Sequence, residues 1–233
     1  MKRTPEPELM DEPAQALAYA RADFEEPNAR FVETFARLQP RYRGDAALDL
    51  GCGPGDIAIR FARRYPRTAV RGVDGATAML RLAQRAIGAA GLAGRVRLMR
   101  WRIGSQPVPA RLAHRFDAII SNSLLHHMAK PVAFWAAIRE CARPGAAALV
   151  MDLLRPATPA AARRIVAHYS GKEPPVLRHD FYHSLRAAWR IEEVRAQIRA
   201  SGLDLTVERA SDRHWIAYGR VGALSSSGGR MGG

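Results

Sequence analysis

An α/β fold with a doubly wound, mostly parallel sheet is what this sequence predicts, and three observations carry the prediction. Short apolar runs alternate with stretches of helical periodicity between residues 46 and 151. A glycine-rich loop follows the first apolar run and opens a helix. An acidic residue closes the second run. Continuous apolar runs suit strands covered on both faces, and strands that alternate with helices build βαβ units.

The elements follow in order. Residues 1–15 are polar and rich in Pro and Glu, and read as a loose segment. Leu17, Ala20, Phe24, Phe31, Phe35 and Leu38 recur at spacings near three and four, which predicts a helix over 16–38, broken near Pro27. Ala46-Ala47-Leu48-Asp49-Leu50 reads as the first strand and 57–65 as the helix after it. Next come a strand at 69–73, a helix at 76–90 and strands at 96–101 and 117–121. A helix at 132–141 and a strand at 146–151 complete the regular alternation. Helices are expected at 159–169 and 191–201, with Glu173-Pro174-Pro175 as a link between them. The segments 203–209 and 214–218 are dense in β-formers and joined by a short link, so an antiparallel edge hairpin is expected. The organisation read from this is an N-terminal helical segment or lid (1–43), an α/β domain (44–222) with a helical insertion at about 155–200, and a disordered tail (223–233).

Composition narrows the function classes. At 233 residues and 48% hydrophobic, the chain is long enough for one well-buried core. Its apolar runs, such as 146–151, fall far short of the roughly 20 residues of a membrane span, and no apolar leader is visible. Cys52 and Cys141 form no CxxC pair, so neither a disulfide framework nor a zinc knuckle is expected and a cytoplasmic setting is. The net charge is +14, and 33 of the 36 basic residues are arginines spread along the chain. Arg60, Arg63, Arg64 and Arg67 lie at helical spacing and read first as an exposed helix face. A basic field also favours nucleic acid, which stands as the second reading of the partner.

The loop Gly51-Cys52-Gly53-Pro54-Gly55-Asp56 carries the most information. A P-loop needs GxxxxGK[ST], and no such Lys follows. A dinucleotide fingerprint needs GxGxxG; here the third glycine arrives one residue early. Asp56 would also repel a pyrophosphate at the helix N-terminus. The loop therefore suits a ligand without phosphates. Asp74, 23 residues after Gly51, stands where an acid can accept hydrogen bonds from both ribose hydroxyls. Together they point to an adenosine ligand such as S-adenosylmethionine.

These residues, with Phe116-Asp117-Ala118-Ile119-Ile120-Ser121-Asn122-Ser123-Leu124-Leu125-His126-His127, Arg143-Pro144-Gly145 and Met151-Asp152, resemble the class I S-adenosylmethionine-dependent methyltransferases. The likeness is to the small-molecule, ubiquinone/menaquinone-type group; it is strong over 46–152 and weaker over 155–219. The resemblance implies a Rossmann-like seven-stranded sheet with an antiparallel last strand, helices on both faces and an N-terminal helical lid. It implies S-adenosyl-L-methionine as cofactor, leaving as S-adenosyl-L-homocysteine. Asp49 would engage the methionine ammonium, Gly51, Cys52 and Gly53 would line the loop side, and Asp74 and Gly75 the ribose. Met79 would pack near the adenine or equally serve the core, and Ser121 and Asn122 would meet the methionine end. Arg102 stands near the place where relatives carry an adenine-binding Asp.

Methyl transfer is an in-line displacement with a good leaving group, so the protein supplies alignment and desolvation, and a base only for a protonated acceptor. His126, His127 and Asp152 are the candidate catalytic residues, and the histidines equally suit closing the pocket. Arg155 suits a substrate carboxylate or a brace for Asp152. Tyr19 and Phe24 of the N-terminal helix, and Asp180, Phe181 and Tyr182 within the cluster 179–184, are the candidate substrate contacts, with simple packing as the alternative for Phe181 and Tyr182. The His pair alone offers too few ligands at suitable spacing, so no metal is expected. The expected activity is methyl transfer to a small molecule; the alternatives are an RNA methyltransferase using the basic surface or a non-catalytic binding module. Against RNA, Ser121-Asn122-Ser123-Leu124 is unlike the Asn/Asp-Pro-Pro-Tyr motif of base-amine methylation, and Cys141 lacks a Pro-Cys context.

Overall fold

The computed structural model of the protein describes residues 1–6, 11–12, 16–17, 19 and 25–222. The tail 223–233 and Phe24 lie outside the described residues. Helix α1 (Glu25–Leu38) carries Pro27 in its first turn, where a missing N–H costs nothing. The first half of the alternation is β1 (Ala46–Leu50), α2 (Asp56–Arg64), β2 (Ala69–Asp74), α3 (Thr77–Ala89) and β3 (Val96–Arg100). The second half is β4 (Phe116–Asn122), a 3₁₀ turn at Leu125–His127, α4 (Pro131–Cys141) and β5 (Ala142–Leu153). Then come α5 (Pro159–Ser170), α6 (Pro175–Ala187), α7 (Ile191–Ala200), β6 (Thr206–Arg209) and β7 (His214–Val221).

The strands form a seven-stranded sheet in the order β3-β2-β1-β4-β5-β7-β6. Every neighbouring pair from β3 to β5 is parallel, and β7 runs antiparallel to both β5 and β6. This is the Rossmann-like arrangement the sequence predicts, with the hairpin at the expected edge. Strand order reverses between β1 and β4, so their C-terminal ends open a crevice, the usual ligand position of an open α/β sheet.

The sheet is covered on both faces. On one, Phe31 and Phe35 of α1, Ile57 and Phe61 of α2 and Ile87 of α3 pack with Ala47, Ile120 and Leu149. On the other, Phe134, Trp135 and Ile138 of α4 and Val194 and Ile198 of α7 pack with Leu48, Leu50, Ile119 and Trp215. Each large apolar side chain fully buried here stabilises the fold by roughly 1.5–3 kcal/mol. Trp135 Nε1 donates to Gln197 Oε1 at 3.0 Å and ties α4 to α7. Phe61 is fully buried, with ring centroids 4.9 Å from Phe35 and 4.6 Å from Tyr65. Phe61→Ala is expected to cost about 3–5 kcal/mol in denaturant unfolding; a loss below 1 kcal/mol would mean the aromatic cluster does not hold α1 and α2 to the sheet.

Two sequence expectations need correction here. Pro174 and Pro175 do not make a link between helices: they cap and open α6, as proline at the first helical position does. The cluster 179–184 therefore lies on a helix. Residues 1–6 are not loose either. The Met1 ammonium donates to Ala157 O, and Thr4 N donates to Arg186 O at 3.0 Å. Arg3 donates to Ala187 O, His126 O and Met128 O at 2.6, 3.0 and 3.2 Å, and its guanidinium stacks 3.8 Å over Trp189.

Candidate active site

The crevice at the strand-order reversal is lined by Gly51, Val73, Asp74, Gly75, Trp101, Arg102, Ile103, Leu124, His127 and Met128. The loop after β1 is pinned to β2: Gly51 N and Cys52 N both donate to Val73 O, at 2.9 and 3.0 Å. Asp74 fixes it further. Its Oδ2 accepts from Gly53 N at 2.9 Å and its Oδ1 from Ala76 N at 2.8 Å. Gly51 has φ +71°, and a Cβ there would stand 2.8 Å from the Leu124 side chain, so both conformation and space require glycine. Gly53, φ +50°, faces open space instead.

Asp49 is the anomaly of β1. It lies within the sheet, 2% exposed, and its Oδ2 has no hydrogen-bond partner. Burial, with the Asp74 charge adding to it, pushes its carboxyl up to about 8. An orphaned buried carboxylate oxygen is costly unless a ligand meets it. Ser121 spends its hydroxyl on Leu50 O at 2.8 Å. Asn122 reaches Asn28 Oδ1 at 3.5 Å while its own Oδ1 has no partner. Asn28 also donates to Asp56 Oδ2 at 2.9 Å, and Asp56 pairs with Arg60 at 2.7 Å. The helix N-terminus that a phosphate would need is thus already occupied by a carboxylate. Met79 is buried against Ala16 and Ala76, with Tyr19 packed on them. The Tyr19 phenol is pushed up to about 12 by burial, with the charges of Asp152 and Asp74 adding to it.

A second polar cluster adjoins the crevice. Asp152, at the end of β5, accepts from His126 Nδ1 at 2.5 Å, from His126 N at 3.1 Å and from Leu153 N at 2.6 Å. Burial would raise the Asp152 carboxyl, but His126 holds it below the usual range. Burial would lower His126, but Asp152 and then Glu6 raise it. Glu6 Oε1 lies 3.0 Å from His127 Nδ1 and 3.5 Å from His126 Nε2. Ser184 Oγ donates to both Glu6 oxygens, at 3.1 and 3.2 Å. Glu6 is a site residue that sequence reading missed, because no spacing links residue 6 to residues 126 and 127.

The structure therefore brings His126, His127 and Asp152 together through Glu6 and direct contact, and sets Gly51, Asp74, Gly75 and His127 on one opening, with Gly53 bonded to Asp74. It does not bring Arg155 there. That side chain is buried and donates to Glu193 Oε1 at 2.6 Å and Ala188 O at 3.1 Å, so it neither braces Asp152 nor offers a free guanidinium. Phe181 and Tyr182 pack on Leu153, Ala162, Leu185 and Ala188 between α5 and α6. Asp180 is part-exposed on α6. None of these three lines the crevice.

An open α/β sheet with a phosphate-free glycine loop and an acid at the end of β2 defines an enzyme that takes a nucleoside cofactor. A family model described as a methyltransferase domain matches residues 47–145. An uncharacterised methyltransferase of Mycobacterium tuberculosis is 27% identical over 179 residues, 75% of this chain and 83% of the relative. A ubiquinone biosynthesis O-methyltransferase of Cereibacter sphaeroides is 27% identical over 163 residues, 70% of this chain and 62% of the relative. Among solved structures, a SAM-dependent methyltransferase from Aquifex aeolicus superposes with a TM-score of 0.67 at 17% identity, over 90% of this chain and 98% of that one. Residues 47–145 thus match a methyltransferase domain, and the fold around them is that of solved S-adenosylmethionine-dependent methyltransferases.

Gly51→Ala tests the loop. The left-handed backbone alone costs about 1–2 kcal/mol for a residue with a Cβ, and Leu124 must give way. Calorimetry is expected to show weaker S-adenosylmethionine binding, together with a loss of several degrees of melting temperature from the strain. Parental affinity would mean that the loop does not face the cofactor.

Proposed function

We propose that the chain methylates a hydroxyl oxygen of a small molecule in the cytoplasm. The observation that carries this is the N-terminal strap. Arg3 and Glu6 lie across the crevice rim, bonded to the backbone at His126 and Met128 and close to both histidines. A rim closed in this way suits a small acceptor and leaves little room for a folded macromolecule. The buried thiols of Cys52 and Cys141 suit a reducing compartment. No helix among the described residues is long and apolar enough to cross a membrane.

The residues present fit S-adenosylmethionine. Asp49 Oδ2, buried and without a partner, suits the methionine ammonium. Asp74 suits the ribose, and the open space at Gly53 admits a ligand against the backbone. The cofactor supplies a methyl group on a positively charged sulfur, which leaves as a neutral thioether. A hydroxyl acceptor must shed its proton as the new C–O bond forms. Glu6, His126 and His127 are the groups beside the crevice that can take or displace that proton. The name of the Cereibacter relative, an O-methyltransferase, supports an oxygen acceptor.

The test is methyl-labelled S-adenosylmethionine with purified protein and host extract split into small molecules, RNA and protein, at two salt concentrations. Label is expected in the small-molecule fraction, on oxygen, with little salt dependence. Label in RNA that fades steeply with salt would overturn the reading and bring the arginines into the substrate site.

A further inference from the structure

We propose that Glu6, His126 and His127 bind one divalent first-row metal ion of the zinc type, with Asp152 orienting His126 from behind. The site deepens the reading above: it rests on that reading for its role in the reaction, and on geometry alone for the binding.

Three donor atoms, one carboxylate oxygen and two imidazole nitrogens, all lie within 4.8 Å of one another. Glu6 Oε1 stands 3.0 Å from His127 Nδ1 and 3.5 Å from His126 Nε2. Ligands held about 2.0–2.2 Å from a tetrahedral ion lie roughly 3.3–3.6 Å from each other, so both Glu6–His separations are already near that spacing and the two imidazoles, within 4.8 Å, must close on the ion. The donor set is two histidines and a glutamate, which in zinc sites leaves one position open for water or substrate. His127 also lines the crevice, which sets that position beside the acceptor.

The surroundings are those of a built metal shell. His126 gives Nδ1 to Asp152 at 2.5 Å, leaving Nε2 toward Glu6. A carboxylate behind a ligating imidazole fixes its tautomer and raises its basicity. Ser184 does the same service for Glu6, with both oxygens in reach of its hydroxyl. The three donor side chains are only 4–15% exposed. Charge agrees as well. In a protein of net charge +14, two acids, Glu6 and Asp152, converge on this pair of histidines, and Asp74 lines the crevice beside His127. A divalent cation balances what two imidazoles do not. Such an ion lowers the pKa of a hydroxyl it holds, so the acceptor proton is released to water as the oxygen attacks the methyl carbon and the C–S electron pair goes to sulfur.

The experiment uses the full chain, stripped with chelator and titrated with Co²⁺ followed by visible absorption, with Zn²⁺ as competitor. One ion per chain is expected, with the intense visible bands of a low-coordinate site. Glu6→Gln and His127→Ala are each expected to weaken uptake about 100-fold, and Ser184→Ala, which removes only an orienting partner, by about tenfold. His179 and His183 form the competing surface pair on α6, with ring centroids 4.3 Å apart. Replacing both by Ala is expected to leave uptake unchanged. Bands that persist in both Glu6→Gln and His127→Ala, bands lost with His179 and His183, or no stoichiometric uptake would each overturn the site. Cofactor binding and methyl transfer, read on the same samples, separate the two ideas. Methyl transfer without metal uptake sinks the ion alone, and metal uptake with no methylated oxygen sinks the reaction alone.

Discussion

An Asp49→Asn protein is expected to melt at the parental temperature at pH 7, or slightly above it, while binding S-adenosylmethionine about 10–100-fold more weakly. The two halves have one cause. In the ligand-free protein burial, with Asp74 beside it, pushes the Asp49 carboxyl up to about 8. The group is therefore mostly protonated at neutral pH, and an amide copies the neutral acid in size and polarity. An ammonium needs the carboxylate, and a hydrogen bond between charged groups contributes roughly 1.5–3 kcal/mol. The sign with pH follows from linkage. The unfolded chain loses this proton near pH 4 and the folded one near 8, so over that window the folded state holds more protons. Stability of the parent should fall as pH rises from about 4 to about 8, and that part of the fall should vanish in Asp49→Asn. Cofactor affinity should run the opposite way. Binding releases the proton, so affinity rises toward pH 8 in the parent and is flat in the variant. Calorimetry in two buffers of different ionisation enthalpy measures the released proton directly. Several degrees of lost melting temperature with unchanged affinity would mean that Asp49 is structural.

Asp152→Ala carries an expected loss of stability as large as that of Phe61→Ala. Asp152 is 1% exposed, and it holds His126 Nδ1, His126 N and Leu153 N at once. Removing one member of a buried charge pair costs about 3–5 kcal/mol, because the other is left uncompensated. For a chain of this size that is roughly 10 °C or more of melting temperature. Asp152→Asn keeps one acceptor oxygen and should cost clearly less. Denaturant unfolding of the two variants checks this. Equal losses below 1 kcal/mol would mean that the pair is not held together in solution.

What the sequence showed and what it hid divide along contact range. The loop from Gly51 to Asp56 and the acid at Asp74 were legible because turn chemistry and strand ends are local. The β6–β7 hairpin was legible for the same reason. Glu6 was not. It meets His126 and His127 across 120 residues of chain, through a strap that Arg3 fixes to backbone carbonyls and to Trp189. Nothing in the polar composition of that segment announces the docking. Arg155 shows the other failure. Its position after β5 was read correctly, but its partner, Glu193, sits on α7 and also caps that helix by accepting from Arg190 N at 2.8 Å. The α6 helix was missed because two prolines read as a break, when position decides whether proline ends a helix or starts one.

The two thiols offer a clock for two different motions. Cys52 sits in the glycine loop, buried, and burial together with Asp49 and Asp74 pushes its thiol well above the usual range. Cys141 closes α4 beneath the sheet and is fully buried. A thiol reagent can reach the first when the loop alone lifts from Val73, and the second only when α4 parts from the sheet. Local and global openings differ in free energy, so the two alkylation rates should separate. Ligand that seats the loop should slow the first far more than the second. The protein thus carries, without any added label, a stopwatch for how often its own cofactor door swings.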